Sequence, residues 1–182
     1  MKQVGENLKL IDEKSIFIGD EVVIGKGVTI YENNRIDGKT VIGDGCVLLP
    51  NNLIRDSVFG ENCTVNYSQC ESATVGNGVQ IGPFARLRPK SVLCDGVKVG
   101  NFVEVKNATL GKNTKASHLA YIGDCEVGEN CNIIAPVHIA KNSYICAGTT
   151  VTKDTQNLDF VIGRVEPTVK SGRAQAYLKE VK

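Results

Sequence analysis

The chain has 182 residues and a formal net charge of +1, from 21 basic and 20 acidic residues. Nothing in this balance indicates a nucleic-acid-binding or membrane-binding surface, and no run of apolar residues is long enough for a membrane-spanning helix. Without a secretory leader at Met1, we expect a soluble cytoplasmic protein whose seven cysteines are reduced thiols. Aromatic residues make up only 5% of the chain while glycine occurs 19 times, so large rings do not fill its interior.

A hexad repeat occupies most of the chain. Residues 1–14 show no periodicity, and we expect them to form a leader or linker. From Ile18 to Val151 an aliphatic residue then recurs every six positions, with occasional five-residue steps. A period of six keeps the two-residue alternation of a strand, while a turn in every hexad limits each strand to a few residues. Residues 15–154 are therefore predicted to be a series of short, flat strands, each bounded by a turn.

The repeat resembles the hexapeptide-repeat class, in which three short faces close a triangular coil. The resemblance implies an all-β fold, a left-handed parallel β-helix of about eight coils spaced by one strand separation. The left hand comes from the resemblance alone, because the general rule for parallel crossovers favours the right hand. Residues 155–182 are expected to form a C-terminal extension, with an extended piece and then a short helix that Ser171 caps.

The cysteines fit the interior of such a coil. Cys70 falls at an aliphatic position of the repeat, and three others fall at the small inward position: Cys46, Cys63 and Cys131. We interpret these four as core residues, because a free thiol packs like a small hydrophobe. The remaining three lie near corners at spacings that match no metal site, so no metal is expected: Cys94, Cys125 and Cys146.

Two cations should stack on one face. Arg88 and Lys106 are eighteen residues apart and take the same position of adjacent coils, about 5 Å from each other. At that distance two like charges repel by about 0.8 kcal/mol even in bulk water. Either both side chains point into solvent, or they hold an anion such as a phosphate between a guanidinium fork and an ammonium group.

Three further polar residues lie near this pair. Tyr121 comes just before the next coil on the same face, His118 lies one corner earlier, and Asn132 ends the hexad that follows. A lone histidine is more often a surface residue than a catalyst. Beside a phosphate site, however, a neutral imidazole can take the proton of an attacking amine, which is the step that N-acyl transfer needs.

Three stretches resemble one family: "IGPFARLRP", "VGNFVEVKNATLGKNTKASHLAYIGD" and "IAPVHIAKNSYICAGTTVTKD". They are similar to the C-terminal acetyltransferase domain of the bacterial bifunctional glucosamine-1-phosphate acetyltransferase and N-acetylglucosamine-1-phosphate uridyltransferase. The similarity extends from about residue 14 to residue 167. The family's nucleotidyltransferase domain has no counterpart here, so uridyl transfer is not expected.

The resemblance implies a role for each candidate residue. Arg88 and Lys106 match the ligands of the sugar phosphate, and His118 matches the general base. Tyr121 and Asn132 match residues that hold the amino sugar. On the side of the co-substrate acetyl-CoA, the resemblance assigns Ala147, through its backbone, and Arg164, near the nucleotide phosphates. It also implies a homotrimer whose sites lie between neighbouring subunits.

The chain departs from the family after "NCNI", where Ile133 passes almost directly into Ala135. A projecting loop and roughly one coil of the family are missing there, and with them residues that face acetyl-CoA. Three functions follow. The first is an acetyl-CoA-dependent N-acetyltransferase of glucosamine 1-phosphate or a close amino-sugar phosphate. The second is a trimeric sugar-phosphate-binding or scaffold protein without catalysis, and the third is a zinc hydratase, for which His118 and His138 are the only histidines.

Overall fold

A computed structural model of the protein describes residues 3–163, which contain 25 short strands. In chain order the first strands are β1 (Gln3–Val4), β2 (Lys9–Leu10), β3 (Phe17–Ile18), β4 (Val23–Ile24), β5 (Thr29–Ile30), β6 (Arg35–Asp37), β7 (Val41–Ile42), β8 (Val47–Leu48) and β9 (Leu53–Arg55). They are followed by β10 (Val58–Phe59), β11 (Thr64–Val65), β12 (Gln69–Glu71), β13 (Thr74–Val75), β14 (Gln80–Ile81), β15 (Arg86–Leu87), β16 (Val92–Leu93) and β17 (Lys98–Lys106). The last are β18 (Thr109–Leu110), β19 (Lys115–Gly123), β20 (Glu126–Val127), β21 (Asn132–Ile133), β22 (Val137–Ile139), β23 (Tyr144–Ile145), β24 (Thr150–Val151) and β25 (Phe160–Val161). A 3₁₀ turn at Glu13–Ser15 is the single helical segment in this part of the chain.

The strands stack in three faces around one core. The first face contains β1, β4, β7, β10, β13, β16, β18, β20, β23 and β25. The second contains β2, β5, β8, β11, β14, β21 and β24, and the third contains β3, β6, β9, β12, β15 and β22. The nine-residue strands β17 and β19 bend around the corner between the second and third faces and belong to both. All pairings are parallel, and the predicted all-β fold, a left-handed parallel β-helix of hexapeptide repeats, is confirmed.

The core consists of the predicted aliphatic positions. Ile36, Ile54, Val105 and Ile122 on the third face are inaccessible to solvent, and their strands are in register from turn to turn. Cys70 occupies one of these positions and is 1% exposed. The three cysteines that were predicted to point inward at the small position are fully buried as well: Cys46, Cys63 and Cys131.

The N-terminal residues, which were predicted to be a leader or linker, form the first turn of the solenoid. Residues 3–14 are not separate from the solenoid, because β1 pairs with β4 and β2 pairs with β5. Leu8 and Leu10 pack against the core. The strands of this turn escape a search for aliphatic hexads, because Gln3–Val4 and Lys9–Leu10 are partly solvent-exposed and carry polar residues. The β-helix therefore has about nine turns instead of the predicted eight or so.

At the C-terminal end, the strand ladder extends beyond residue 154. β25 pairs with β23, so part of the expected extension from 155 to 163 continues the first face. The short helix predicted after Ser171, together with Arg164, lies outside the described residues.

Candidate functional site

The third face brings the two predicted cations into one outward-facing column. Leu87 pairs with Val105, so the residues that follow them, Arg88 and Lys106, take equivalent positions of adjacent turns. Lys106 pairs in turn with Gly123 on β19. We call Arg88, Lys106 and Gly123 the cation column.

Each cation has an acidic partner that the sequence analysis missed. Arg88 Nη1 lies 2.9 Å from Glu104 Oε1, and Lys106 Nζ lies 3.9 Å from Asp124 Oδ2. All four side chains are about one-third exposed, so each ion pair stabilises the fold by about 1 kcal/mol or less. The expected repulsion between the two cations is therefore offset locally. A guanidinium has five donors, and the Arg88–Glu104 pair leaves most of them for a ligand.

Tyr121 lies beside the cation column. Glu104, Tyr121 and His138 are in register on successive turns and form a second outward column. The rings of Tyr121 and His138 are stacked, with their centroids 5.0 Å apart and their planes 14° from parallel. The phenol bends over Gly123. A Cβ built on that glycine would lie only 2.6 Å from Tyr121 Oη, which shows how closely the ring approaches it.

His118 lies at the corner between the second and third faces, on the same strand as Tyr121. It pairs with Asn101 of β17, and its side chain is exposed. The next residue, Leu119, has a φ of 47°, a left-handed conformation that is uncommon for a bulky residue. Among residues 3–163, no side-chain hydrogen bond involves the His118 imidazole, which leaves both of its nitrogens accessible.

The remaining predicted residues are spread over other parts of the solenoid. Asn132 is on the second face, where it pairs with Lys115 and Thr150, so the His118 corner separates it from Tyr121. Ala147 is exposed in the turn between β23 and β24. One subunit therefore brings together Arg88, Lys106 and Tyr121, places His118 and Asn132 around the adjoining corner, and leaves Ala147 at a different corner.

The corner between the second and third faces, which carries His118, also carries a row of exposed apolar side chains. Tyr67, Phe84 and Phe102 occupy successive turns, with ring centroids 4.8 and 5.4 Å apart, and Leu119 follows on the next turn. Each of the four is about half exposed. We call these four residues the corner ladder. Large apolar surfaces that remain in contact with water are typical of interaction sites.

A polar groove of about 410 Å³ lies on the other side of the cation column, at the corner between the third and first faces. Asp124, Glu126, Asn142 and Tyr144 contribute to its lining. The same groove reaches Cys125, where burial, reinforced by the neighbouring carboxylates, raises the pKa of the thiol to about 12. This thiol is therefore neutral and unsuited to nucleophilic chemistry near neutral pH.

Metal-binding and membrane-spanning features are absent from the described part of the chain. Residues 3–163 contain no group of three or more His, Cys, Asp or Glu side chains placed to hold a metal ion. No helix within these residues is sufficiently long and apolar to span a bilayer.

Comparison with known proteins gives consistent matches. Residues 72–107 match the family model described as bacterial transferase hexapeptide (six repeats), a stretch that contains Arg88 and Lys106. The bifunctional protein GlmU of Carboxydothermus hydrogenoformans is 38% identical over 190 residues, covering 87% of this chain and 43% of that protein. GlmU of Clostridium acetobutylicum is 39% identical over 202 residues, covering 94% of this chain and 44% of that protein.

This chain spans less than half the length of these relatives. The second alignment extends over more residues than the 182 of the whole chain, so the relative has residues within the matched region that are absent here. Among solved structures, LpxA of Bacteroides fragilis, a UDP-N-acetylglucosamine acyltransferase, is similar with a TM-score of 0.46 and 17% identity, over 84% of this chain and 63% of that one.

Proposed function

The chain belongs to the bacterial hexapeptide transferases and is homologous to part of the bifunctional protein GlmU, and on this premise we propose that it is an N-acetyltransferase. Its substrates are acetyl-CoA and glucosamine 1-phosphate or a close amino-sugar phosphate. The observation that carries the proposal is the cation column, in which Arg88 and Lys106 lie on adjacent turns next to the Tyr121 phenol.

The phosphate of the sugar binds Arg88 and Lys106, which fixes one end of the substrate. Tyr121 and Asn132 orient the sugar ring, so that its amino group approaches the corner that carries His118. The exposed imidazole of His118 removes a proton from the ammonium group. The free amine then attacks the thioester carbonyl carbon and a C–N bond forms. The C–S bond breaks, the nitrogen loses its extra proton, and the departing CoA thiolate takes up that proton.

We place the donor in the turn at Ala147 and near Arg164, as the family resemblance implies. In one subunit Ala147 is at a different corner from His118, so the complete site needs a neighbouring subunit. A homotrimer supplies that neighbour. The corner ladder supports this assembly, because it exposes four large apolar side chains next to His118.

A second candidate function is a trimeric sugar-phosphate-binding or scaffold protein without catalysis. The observation that favours it is the longer matched region of the relatives, which agrees with the loss of a donor-side loop and coil after Ile133. This protein would retain the cation column and lack a working acetyl-CoA pocket.

The first experiment measures thiol release from acetyl-CoA in the presence of glucosamine 1-phosphate, for the wild type and His118→Ala at equal protein concentration. The acetyltransferase predicts turnover that is lost in His118→Ala, while calorimetric binding of the sugar phosphate persists. Binding without turnover in the wild type would favour the scaffold.

A pair of variants tests the phosphate site. Arg88→Gln should weaken sugar-phosphate binding by roughly tenfold or more, because a charge-assisted hydrogen bond contributes about 1.5–3 kcal/mol. Arg55→Gln is the matched control, because Arg55 occupies the same outward position two turns below. Equal affinities in the two variants would contradict the assignment.

A further inference from the structure

Two residues outside the predicted site control where the Tyr121 phenol lies. We propose that Gly123 and His138 are positioning residues that hold this ring over the cation column, Gly123 by leaving space and His138 by stacking. The proposal deepens the proposed function, since it rests on Tyr121 contacting the bound sugar phosphate.

Gly123 supplies the space. It occupies the position directly above Lys106, where any other residue would place an outward side chain. A Cβ there would lie 2.6 Å from both Cε1 and Oη of Tyr121, and 2.7 Å from Cζ. Contacts this short are not tolerated, so an alanine would displace the ring. The backbone at Gly123 does not have a positive φ, so the substitution adds no backbone strain of its own.

His138 supplies the opposing contact. Its strand β22 pairs directly with β19, and the Tyr121–His138 register places one ring above the other at 5.0 Å. The backbone N–H of His138 donates to Asp154 Oδ1 at 2.8 Å, which holds the backbone from which the imidazole extends. Stacked ring pairs of this kind contribute about 0.5–1.5 kcal/mol beyond their buried area.

The two contacts act on the same ring from different sides. Stacking on His138 limits the movement of the phenol towards the next turn, and the missing side chain at Gly123 lets its hydroxyl extend across the cation column. The hydroxyl is thereby placed at the end of the row formed by Arg88 and Lys106. A phosphate held by these cations would meet a hydroxyl whose oxygen is already in position.

The position of the ring can be measured without any ligand. The chain has two histidines, so the carbon-bound imidazole protons give two sets of signals in a ¹H–¹³C NMR spectrum. Stacking on Tyr121 should shift the His138 protons upfield, and His118 serves as the internal reference. We expect Gly123→Ala and Tyr121→Ala to abolish this shift. An unchanged shift in Gly123→Ala would overturn the proposal.

Binding then tests the functional consequence, with glucosamine 1-phosphate as the titrant. Gly123→Ala should weaken binding in the wild-type background and have no further effect in Tyr121→Ala. Gly19→Ala is the control, because Gly19 lies at the lower end of the same outward column. Its Cβ would make one short contact, with Asp37 Oδ1 at 2.9 Å, and would meet Asp37 Cα and Ile36 O at 3.5 and 3.6 Å. A loss of affinity that persists in the Tyr121→Ala background would contradict the positioning role of Gly123.

The stacking partner is tested by substitution at His138. His138→Ala should weaken binding by roughly two- to tenfold, whereas His138→Phe, which keeps a flat ring, should restore it. Equal loss in both variants would refute a stacking role. If the wild type binds no sugar phosphate, the proposed function fails, while the NMR shift still decides whether Gly123 and His138 hold the ring.

Discussion

Cys70, a buried cysteine in the core of the solenoid, allows a prediction about the stability of the fold that needs no ligand. Cys70 lies in β12 between Ile54 and Leu87 of the adjacent turns, and it is 1% exposed. Burial raises the pKa of its thiol from 9.0 to about 12, because the thiolate would lose its hydration there. In the unfolded chain the same thiol titrates near its ordinary value.

The sign and size of the effect follow from this difference. A group whose pKa is raised in the folded state contributes stability that is complete below its unfolded pKa and is lost as the pH rises towards the folded value. Between pH 9 and pH 12 the unfolded chain releases this proton and the folded chain retains it. Each pH unit in that window therefore lowers the free energy of unfolding by about 1.4 kcal/mol, or roughly 2 kcal/mol at pH 10.5.

The assay is urea denaturation under reducing conditions at pH 8 and pH 10.5, for the wild type and Cys70→Ala. The alanine leaves a small cavity and lowers stability at both pH values, but it removes the titrating thiol. We therefore expect the difference in unfolding free energy between the two proteins to narrow by roughly 2 kcal/mol at the higher pH. Cys125→Ala should behave in the same way, since burial raises the pKa of that thiol to about 12 as well. A pH dependence that is identical in the wild type and Cys70→Ala would refute the reasoning.

Two further predictions concern the ends and the assembly of the solenoid. Deletion of residues 1–11 should lower the midpoint of thermal unfolding, because Val28 and Ile30 lose the turn that covers them. Each of these side chains that becomes fully exposed lowers the free energy of unfolding by about 1.5–3 kcal/mol. An unchanged midpoint would mean that these residues are a leader that does not stabilise the solenoid. Phe102→Asp should turn a trimer into a monomer in light scattering, because a charge would have to be buried in the corner ladder, whereas Lys141→Asp, at an exposed position outside the ladder, should leave the trimer intact. A monomeric wild type would contradict the proposed assembly.

The repeat explains why so much of the fold could be predicted from the sequence. An aliphatic residue every six positions defines both the faces and the register, so the stacking of Arg88 on Lys106 follows from counting along the chain. The first turn was missed because its strands, Gln3–Val4 and Lys9–Leu10, lie at the end of the stack and bury little of their side chains. A search based on buried aliphatic residues does not detect such a turn.

The electrostatic partners and the ring geometry could not be predicted in the same way. Glu104 lies two residues before Lys106, yet its carboxylate reaches back to Arg88 on the turn below. Whether a side chain contacts its own turn or the next depends on rotamers, which the period does not define. The bend of Tyr121 over Gly123 is another contact of this kind, although the glycine in an otherwise outward-facing column was a usable signal. The functional roles of all the candidate site residues stay predictions: Arg88, Lys106, His118, Tyr121, Asn132, Ala147 and Arg164.

The carboxylates beside Arg88 and Lys106 have a consequence for how an anion would arrive. Locally the two positive charges are balanced by two negative ones, so the face offers little long-range attraction and would not accelerate encounter with a charged substrate. Under the proposed function, a phosphate would bind there partly by ion exchange, with the carboxylates turning towards water where the phosphate takes their place. A singly charged ligand gains little from such an exchange with either acid. A phosphate monoester dianion could replace both, so under the proposed function the balanced charges would favour the doubly charged ligand.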